Sequence, residues 1–170
     1  VNVLNRGGGH TVNDDEREKT TSVNVALDTK GDRYRASLDL GYVYDHIDNP
    51  QYRVTFGSDF LKNVSYMPKA YIHSKFGAPG TYRTVVEKYG VFHGEYDLNK
   101  DWTAFAAIGL RDTSMDYLYN TFQLTNKSGK STVAYNYNNQ VNKADTEEIG
   151  IRGKVKTGDI KHELVLSADR

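Results

Sequence analysis

Apolar and polar residues alternate with a period of two along most of this chain, and this pattern predicts β-strands with one apolar and one polar face. The clearest predicted strand places six residues on its apolar face: Tyr34, Ala36, Leu38, Leu40, Tyr42 and Tyr44. Similar alternation predicts strands near residues 23–27, 86–96, 102–110, 149–155 and 160–168. Helical periodicity of useful length is missing, so we expect an all-β antiparallel meander of about six or seven strands.

The predicted connections alternate between short and long. Short turns are predicted at residues 29–32, 98–101 and 157–159, and long polar segments at about 5–19, 46–83 and 112–146. Because each hairpin reverses the chain, the short turns fall at one end of the sheet and the long loops at the other. This asymmetry, with strands of about ten residues, is typical of an outer-membrane barrel.

Charged residues gather on the polar face of the predicted strands. We place eight of them there: Arg33, Arg35, Asp39, Glu87, Glu95, Arg111, Arg152 and Lys154. Bare charges are costly to bury, so these side chains need the water or the partners that a wide, wet or plugged lumen would supply.

Aromatic residues lie near both ends of the predicted strands. Trp102 and Tyr34 follow short turns, and Tyr42 and Tyr44 lie near the far strand ends. One interpretation is a pair of girdles at two membrane interfaces. The alternative is ordinary cross-strand aromatic packing.

Composition removes several classes of function. Lys and Arg number 22 and Asp and Glu also number 22, so the net charge is zero. A nucleic-acid-binding protein would carry a basic surplus, so we expect no nucleic-acid partner. The chain has no Cys, which excludes disulfides and a thiol nucleophile. The mean hydropathy of -0.68 is compatible with a barrel, whose strands are apolar at only every second residue.

Four stretches resemble one family in their order and spacing. They are "DRYRASLDLGY" at 32–42, "SYMPKAY" at 65–71, "EYDLNKDWTAFAAIGLRDTSMDYLY" at 95–119 and "TGDIKHELVLSADR" at 157–170. Together they resemble part of the barrel of TonB-dependent ferric-siderophore receptors, particularly the ferrichrome-type group. The resemblance implies that residues 1–170 are a partial barrel domain, a segment of an outer-membrane β-barrel of about 22 strands. We expect the plug, the TonB-contacting region and the remaining strands to lie outside this chain.

An arc of a barrel leaves two sheet edges unpaired and an apolar outer face uncovered. We therefore expect the isolated segment either to rearrange into a small sheet structure or to pair its edges with another copy.

The resemblance also implies a function. It implies a receptor in the outer membrane of a Gram-negative bacterium that binds and imports ferric siderophores, with hydroxamates as the expected type and energy from the TonB system. The partners implied are the siderophore, membrane lipid and TonB, the last through the N-terminal region outside this chain. No cofactor is expected, because iron arrives as a ferric-siderophore complex.

Five tyrosines are candidate siderophore contacts. Tyr66 in "SYMP" and Tyr117 and Tyr119 in "DYLY" match ligand-contacting aromatics of the family by motif position. Tyr135 and Tyr137, in the next loop limb, are further candidates. Aromatic rings with hydroxyls suit an organic ligand, since they give broad contact at low entropy cost. The alternative is that these tyrosines only hold long loops together.

The remaining sequence features do not indicate a metal site, a phosphate-binding loop or a catalytic site. The five His residues do not pair at ligand spacings, so we expect no metal site. The run Arg6-Gly7-Gly8-Gly9-His10 lacks the Lys-Ser/Thr of a phosphate-binding loop, so we expect a flexible loop. No catalytic Ser/His/Asp set can be assembled, so we expect no enzyme activity, although an outer-membrane enzyme barrel is one competing interpretation. The other is a soluble β-sandwich that binds carbohydrate or protein through Tyr-rich loops.

Overall fold

The strands of this chain form a single sheet. The computed structural model describes residues 1–10, 16–50, 54–62, 78–126 and 130–170. The elements are β1 (Asn2–His10), β2 (Arg17–Lys30), β3 (Tyr34–Asp48), β4 (Val54–Phe56), α1 (Ser58–Lys62), β5 (Tyr82–Asp97), β6 (Trp102–Leu124), β7 (Ser131–Thr157) and β8 (Ile160–Asp169). The sheet order is β1-β2-β3-β5-β6-β7-β8, with antiparallel pairing throughout, and β4 pairs in parallel with β6. The predicted all-β antiparallel meander is confirmed.

Tight turns gather at one end of the sheet, as the sequence predicted. Residues 31–33 join β2 to β3, residues 98–101 join β5 to β6, and residues 158–159 join β7 to β8. In the β5–β6 turn, the side-chain oxygen of Asn99 accepts hydrogen bonds from the backbone N–H groups of Asp101 at 2.9 Å and Trp102 at 3.0 Å. This local bonding stabilises the turn without help from the rest of the sheet.

The long loop predicted at about 112–146 is wrong. β6 continues to Leu124 and β7 starts at Ser131, and their register is unbroken from Trp102↔Gly153 to Leu124↔Ser131. Residues 136–140 are all Asn, Tyr or Gln, so the apolar alternation disappears there. Strand pairing continues because it needs only main-chain donors and acceptors. The two strands therefore form one long hairpin that extends beyond the ends of β3 and β5.

The first predicted loop, at about 5–19, is also wrong in part. β1 extends to His10 and pairs with β2, so the glycine run that we expected to be a flexible loop belongs to a strand. The register shifts between Arg6 and Gly9, and Gly8 has a φ of 74°. The glycines therefore mark a bulge, because a positive φ is readily adopted only without a Cβ atom.

Arg33 does not share the polar face with the other predicted charges. It lies in the β2–β3 turn, and its guanidinium donates to the carbonyl oxygens of Asp97 at 2.9 Å and Leu98 at 2.6 Å. The same guanidinium lies 5.0 Å from the centroid of the Tyr96 ring. Alternation placed Arg33 wrongly because a turn residue no longer follows the period of the strand.

The sheet has an apolar face that no second layer of described residues covers. Register places Leu38, Phe92 and Ile108 on this face of three neighbouring strands. Leu110 is 55% exposed and Leu166 is 74% exposed. Within the described ranges only three apolar side chains are buried: Ile47, Phe60 and Ala78. A sandwich needs two sheets packed face to face, and the described strands form one, so the β-sandwich alternative is wrong.

Gly150 is required by close packing within the sheet. A Cβ atom at this position of β7 would overlap the Phe105 ring and lie 2.8 Å from the carbonyl oxygen of Leu166. We expect Gly150→Ala to lower the free energy of unfolding by about 1–3 kcal/mol through overpacking. Urea unfolding followed by circular dichroism measures this change. Gly7→Ala is the control, because a Cβ atom there meets nothing within 4 Å. Equal unfolding midpoints for the two variants would contradict the assignment.

Candidate functional site

Ion pairs cross the polar face near the tight turns. Arg35 of β3 donates from Nε to Glu95 of β5 at 2.8 Å, and its two terminal nitrogens donate to both Asp97 oxygens at 3.0 and 2.8 Å. Glu95 also accepts from Arg152 of β7 at 2.8 Å. The predicted placement of Arg35, Glu95 and Arg152 on one face is confirmed. The Arg35 pairs join the neighbouring strands β3 and β5, and the Arg152–Glu95 pair links β7 to β5 across β6. Together they fix the charged surface of the sheet.

Two of the predicted tyrosines meet near the opposite end of this polar face. Tyr117 and Tyr119 occupy alternate positions of β6, so their side chains share the face that also carries Arg111. Their ring centroids are 5.4 Å apart, with an angle of 32° between the planes. Asn138 lies opposite Tyr117 on β7 and donates its amide to the Tyr117 hydroxyl. The two half-buried rings form a broad surface with one oriented hydroxyl.

Arg83 flanks this pair from the other side. It is the cross-strand neighbour of Tyr117 on β5, and its guanidinium donates to Asp45 at 3.0 Å. Asp45 also accepts from the Thr20 hydroxyl at 3.0 Å, which orients the carboxylate. The Arg83 Nε is buried and has no hydrogen-bond partner among the described residues, although the whole side chain is 41% exposed. Asp45 therefore holds the guanidinium in place, and an oxygen-rich ligand can reach only its exposed part and not the buried Nε.

Sequence reasoning missed Arg83 and Asp45. Arg83 was assigned to the end of a polar segment, because Thr81 and Tyr82 before it show no clear alternation. A signal was present: Arg83 lies four positions before Glu87, and even spacing along a strand puts both on one face.

The other described tyrosines of the predicted set lie on the opposite face. Tyr137 is the partner of Leu118, and Tyr135 is the partner of Asn120. Since Leu118 and Asn120 alternate with the tyrosines of β6, this second pair points away from them. Tyr135 and Tyr137 are 57% and 63% exposed. Tyr66 lies outside the described residues. Ligand contact by any of these five tyrosines stays a prediction.

The β3–β5 connection attaches to β6 just beyond the tyrosine pair. β4 pairs with residues Phe122–Leu124, and the Thr55 hydroxyl donates to the Phe122 carbonyl at 3.1 Å. The ring of Phe60, buried in α1, stacks on Phe56 with centroids 4.8 Å apart. The start of this connection is thus anchored at the same end of the sheet as the candidate site.

Known proteins share both this sequence and this fold. The chain is 31% identical over 166 residues to the ferrichrome receptor FcuA of Yersinia enterocolitica, covering 98% of this chain and 21% of that receptor. Its fold matches BauA, the ferric preacinetobactin receptor of Acinetobacter baumannii, with a TM-score of 0.85 and 22% identity. The chain is similar to a β-barrel segment of the TonB-dependent siderophore receptors. The resemblance predicted from the sequence is confirmed.

The barrel segment is only part of the length of these receptors. It also matches the open form of Fiu, the ferric-catecholate import receptor of E. coli K12, with a TM-score of 0.76 and 17% identity. The two structural matches cover 98% of this chain, 24% of BauA and 28% of Fiu. The chain therefore spans roughly a quarter of each related receptor. No family model matches it.

Aromatic side chains border the apolar face of the barrel segment at both ends. Near the tight turns they are Tyr34, Tyr96 and Trp102, and toward the other end they are Tyr44, His46 and Tyr82. The His46 ring stacks between the other two, with its centroid 6.3 Å from that of Tyr44 and 6.4 Å from that of Tyr82. Tyr34 and Tyr44 are ten residues apart on β3. At about 3.3 Å per residue and a tilt of about 40°, they are about 25 Å apart in height. This equals the apolar band of an outer-membrane barrel and favours the girdle interpretation.

No group of three or more His, Cys, Asp or Glu side chains in the described ranges is arranged to hold a metal ion. In the same ranges, no helix has the length and the apolar character needed to cross a bilayer.

Glu95 is the shared acceptor of the ion-pair network. Its side chain is 11% exposed and bridges Arg35 and Arg152. We expect Glu95→Ala to lower the urea midpoint of unfolding, because two arginines would then face each other without the anion between them. Asp39→Ala, which removes an exposed carboxylate from the same face, is the control. A midpoint loss no larger for Glu95→Ala than for Asp39→Ala would argue against the network.

Proposed function

We propose that this chain is part of an outer-membrane receptor that binds ferric siderophores and imports them with energy from the TonB system. The observation that carries the proposal is the 31% identity to a ferrichrome receptor over 98% of the chain. The sequence relative FcuA and the structural matches BauA and Fiu are named for ferrichrome, ferric preacinetobactin and ferric catecholate, so ferric complexes are common to all three. A hydroxamate siderophore is the ligand type that the relationship to a ferrichrome receptor favours.

The polar face would line the lumen, with the candidate site toward its outer mouth. A siderophore surrounds iron with its own ligands, so the protein meets an organic shell, and iron is cargo that needs no cofactor of the receptor. Tyr117 and Tyr119 would give this shell two ring faces. Arg83, oriented by Asp45, would donate to oxygens at its surface. Tyr66 belongs to the same proposal through its motif position.

The apolar face would be covered by membrane lipid. Its uncovered leucines and isoleucines, bordered by aromatics, are otherwise an aggregation hazard in water. Lipid replaces the missing second layer, and the main-chain groups remain paired within the sheet. Energy coupling to TonB would use regions of the receptor outside this segment.

The two faces of β6 should respond differently to charge. Ile108 lies in the middle of the apolar face, and Ala107 beside it lies on the polar face. In the full-length receptor refolded into phosphatidylcholine vesicles, we expect Ile108→Lys to reduce stability by about 2–4 kcal/mol. Ala107→Lys is the control and should have a smaller effect, because water solvates its ammonium group. Urea titration in vesicles measures both; an equal or larger loss for Ala107→Lys would reject the lipid-facing assignment.

The two tyrosine pairs provide a matched test of the ligand site. We expect the double variant Tyr117→Ala/Tyr119→Ala of the full-length receptor to bind ferrichrome about 30-fold or more weakly, since losing a central aromatic contact costs about 2 kcal/mol. Isothermal titration calorimetry in detergent measures the affinity. Tyr135→Ala/Tyr137→Ala, on the opposite face of the same hairpin, should bind nearly as well as wild type. Unchanged affinity in the first variant would reject the site, and an equal loss in both would extend it to the second pair.

A further inference from the structure

The β3–β5 connection returns to the sheet through a tight turn at residues 78–81. The backbone N–H of Thr81 donates to the Ala78 carbonyl at 3.2 Å, and Gly80 has a φ of 83°. Pro79 and Gly80 are the residues that a type II turn favours at its two central positions. The Thr81 hydroxyl donates to the same carbonyl at 2.8 Å. The turn is therefore specified by its own four residues.

Both ends of this turn are buried and bonded to other strands. Ala78 is 7% exposed and Thr81 is 2% exposed. The Ala78 N–H donates to the side-chain oxygen of Asn120 on β6 at 3.1 Å. The Thr81 carbonyl accepts from the N–H of Asn49, just after β3, at 2.9 Å. The turn thus joins the ends of β3 and β5 to β6.

Asn120 occupies a break in the pairing along one edge of β6. β5 pairs with β6 as far as Leu118, and β4 pairs with it from Phe122 onward. Between them the Asn120 side chain, which is 1% exposed, supplies the acceptor for Ala78. A buried N–H that loses its acceptor is energetically costly, so this contact strongly favours one position of the turn.

We propose that Asn120 is a positioning residue for ligand binding. From the face of β6 opposite the tyrosine pair, it holds the turn at residues 78–81, which leads within two residues to Arg83, the cross-strand neighbour of Tyr117. The starting limb is attached to β6 independently, because the Gly57 N–H donates to the Leu124 carbonyl at 2.8 Å. The described residues at both ends of the connection are thus attached to β6. Without Asn120, ordering of the turn at residues 78–81, and of Arg83 just after it, opposes binding. The binding part of this inference rests on the proposed siderophore receptor; the structural part does not.

Amide hydrogen exchange in the full-length receptor tests the structural part. In Asn120→Ala we expect faster exchange across residues 78–81, with unchanged exchange across Trp102–Leu118 of β6. Asn139→Ala, an exposed asparagine of β7, is the matched control and should leave both segments unchanged. Unaltered exchange across residues 78–81 in Asn120→Ala would overturn the proposal.

Ferrichrome affinity tests the positioning part. We expect Asn120→Ala to weaken binding about tenfold, the equivalent of about 1.4 kcal/mol. Gly80→Ala perturbs the same contact from the turn: the added Cβ meets nothing within 4 Å, but the positive φ is strained. Gly80→Ala should therefore weaken ferrichrome binding about as much as Asn120→Ala, and it provides the test if Asn120→Ala folds poorly. Because both changes act on one contact, the double variant Asn120→Ala/Gly80→Ala should bind only slightly more weakly than the weaker-binding single variant.

Two results separate the proposals. Faster exchange with unchanged affinity in both single variants would reject the positioning role while leaving the receptor function intact. If the wild-type receptor bound neither ferrichrome nor another ferric siderophore, the proposed function would fail and the positioning role with it. The exchange experiment would still show whether Asn120 holds the turn.

Discussion

Main-chain pairing within one layer of strands is the interaction on which this structure depends. Each interior strand is bonded on both sides, and few of the described side chains are buried against anything but their neighbours in the sheet. Because main-chain hydrogen bonds hold the strands together, the two faces of the sheet can contact different surroundings. Such a layer is stable in lipid, where an unpaired main-chain group is expensive and an exposed leucine is not. The absence of a packed core in the described residues is therefore a property suited to a barrel wall.

The polar face divides into two functional zones. Near the tight turns, arginines and carboxylates neutralise one another across strands, as Glu95 does for Arg35 and Arg152. Toward the other end, the polar face carries the two contacting rings of Tyr117 and Tyr119, with Arg83 beside them. A wall with its charges paired is rigid and wet, whereas a tyrosine pair with one held guanidinium offers contact to an organic anion or chelate. This gradient along the strands connects the fold with the proposed ligand.

The sequence predicted the parts of the fold that follow from a strict period of two. Alternation placed Leu38 on the apolar face of its strand, and register puts Phe92 and Ile108 beside it on the same face of the sheet. The predictions failed where alternation stops but pairing continues, as in the Asn-rich β7 segment, or where a turn residue such as Arg33 leaves the strand period. The pair Tyr117 and Tyr119 came from motif resemblance, and its shared face could be derived from spacing alone.

The sequence by itself determined the alternation, the tight turns and the family, because these depend on neighbouring residues and on local order. Tertiary structure alone decided which distant residues meet. Tyr135 and Tyr137 resemble their counterparts on β6 in sequence, yet the hairpin register puts them on the other face. Asn120 and Ala78 are 42 positions apart and bond only because β4 and β5 leave a break in the edge of β6. Such contacts depend on register between strands, which no local pattern encodes.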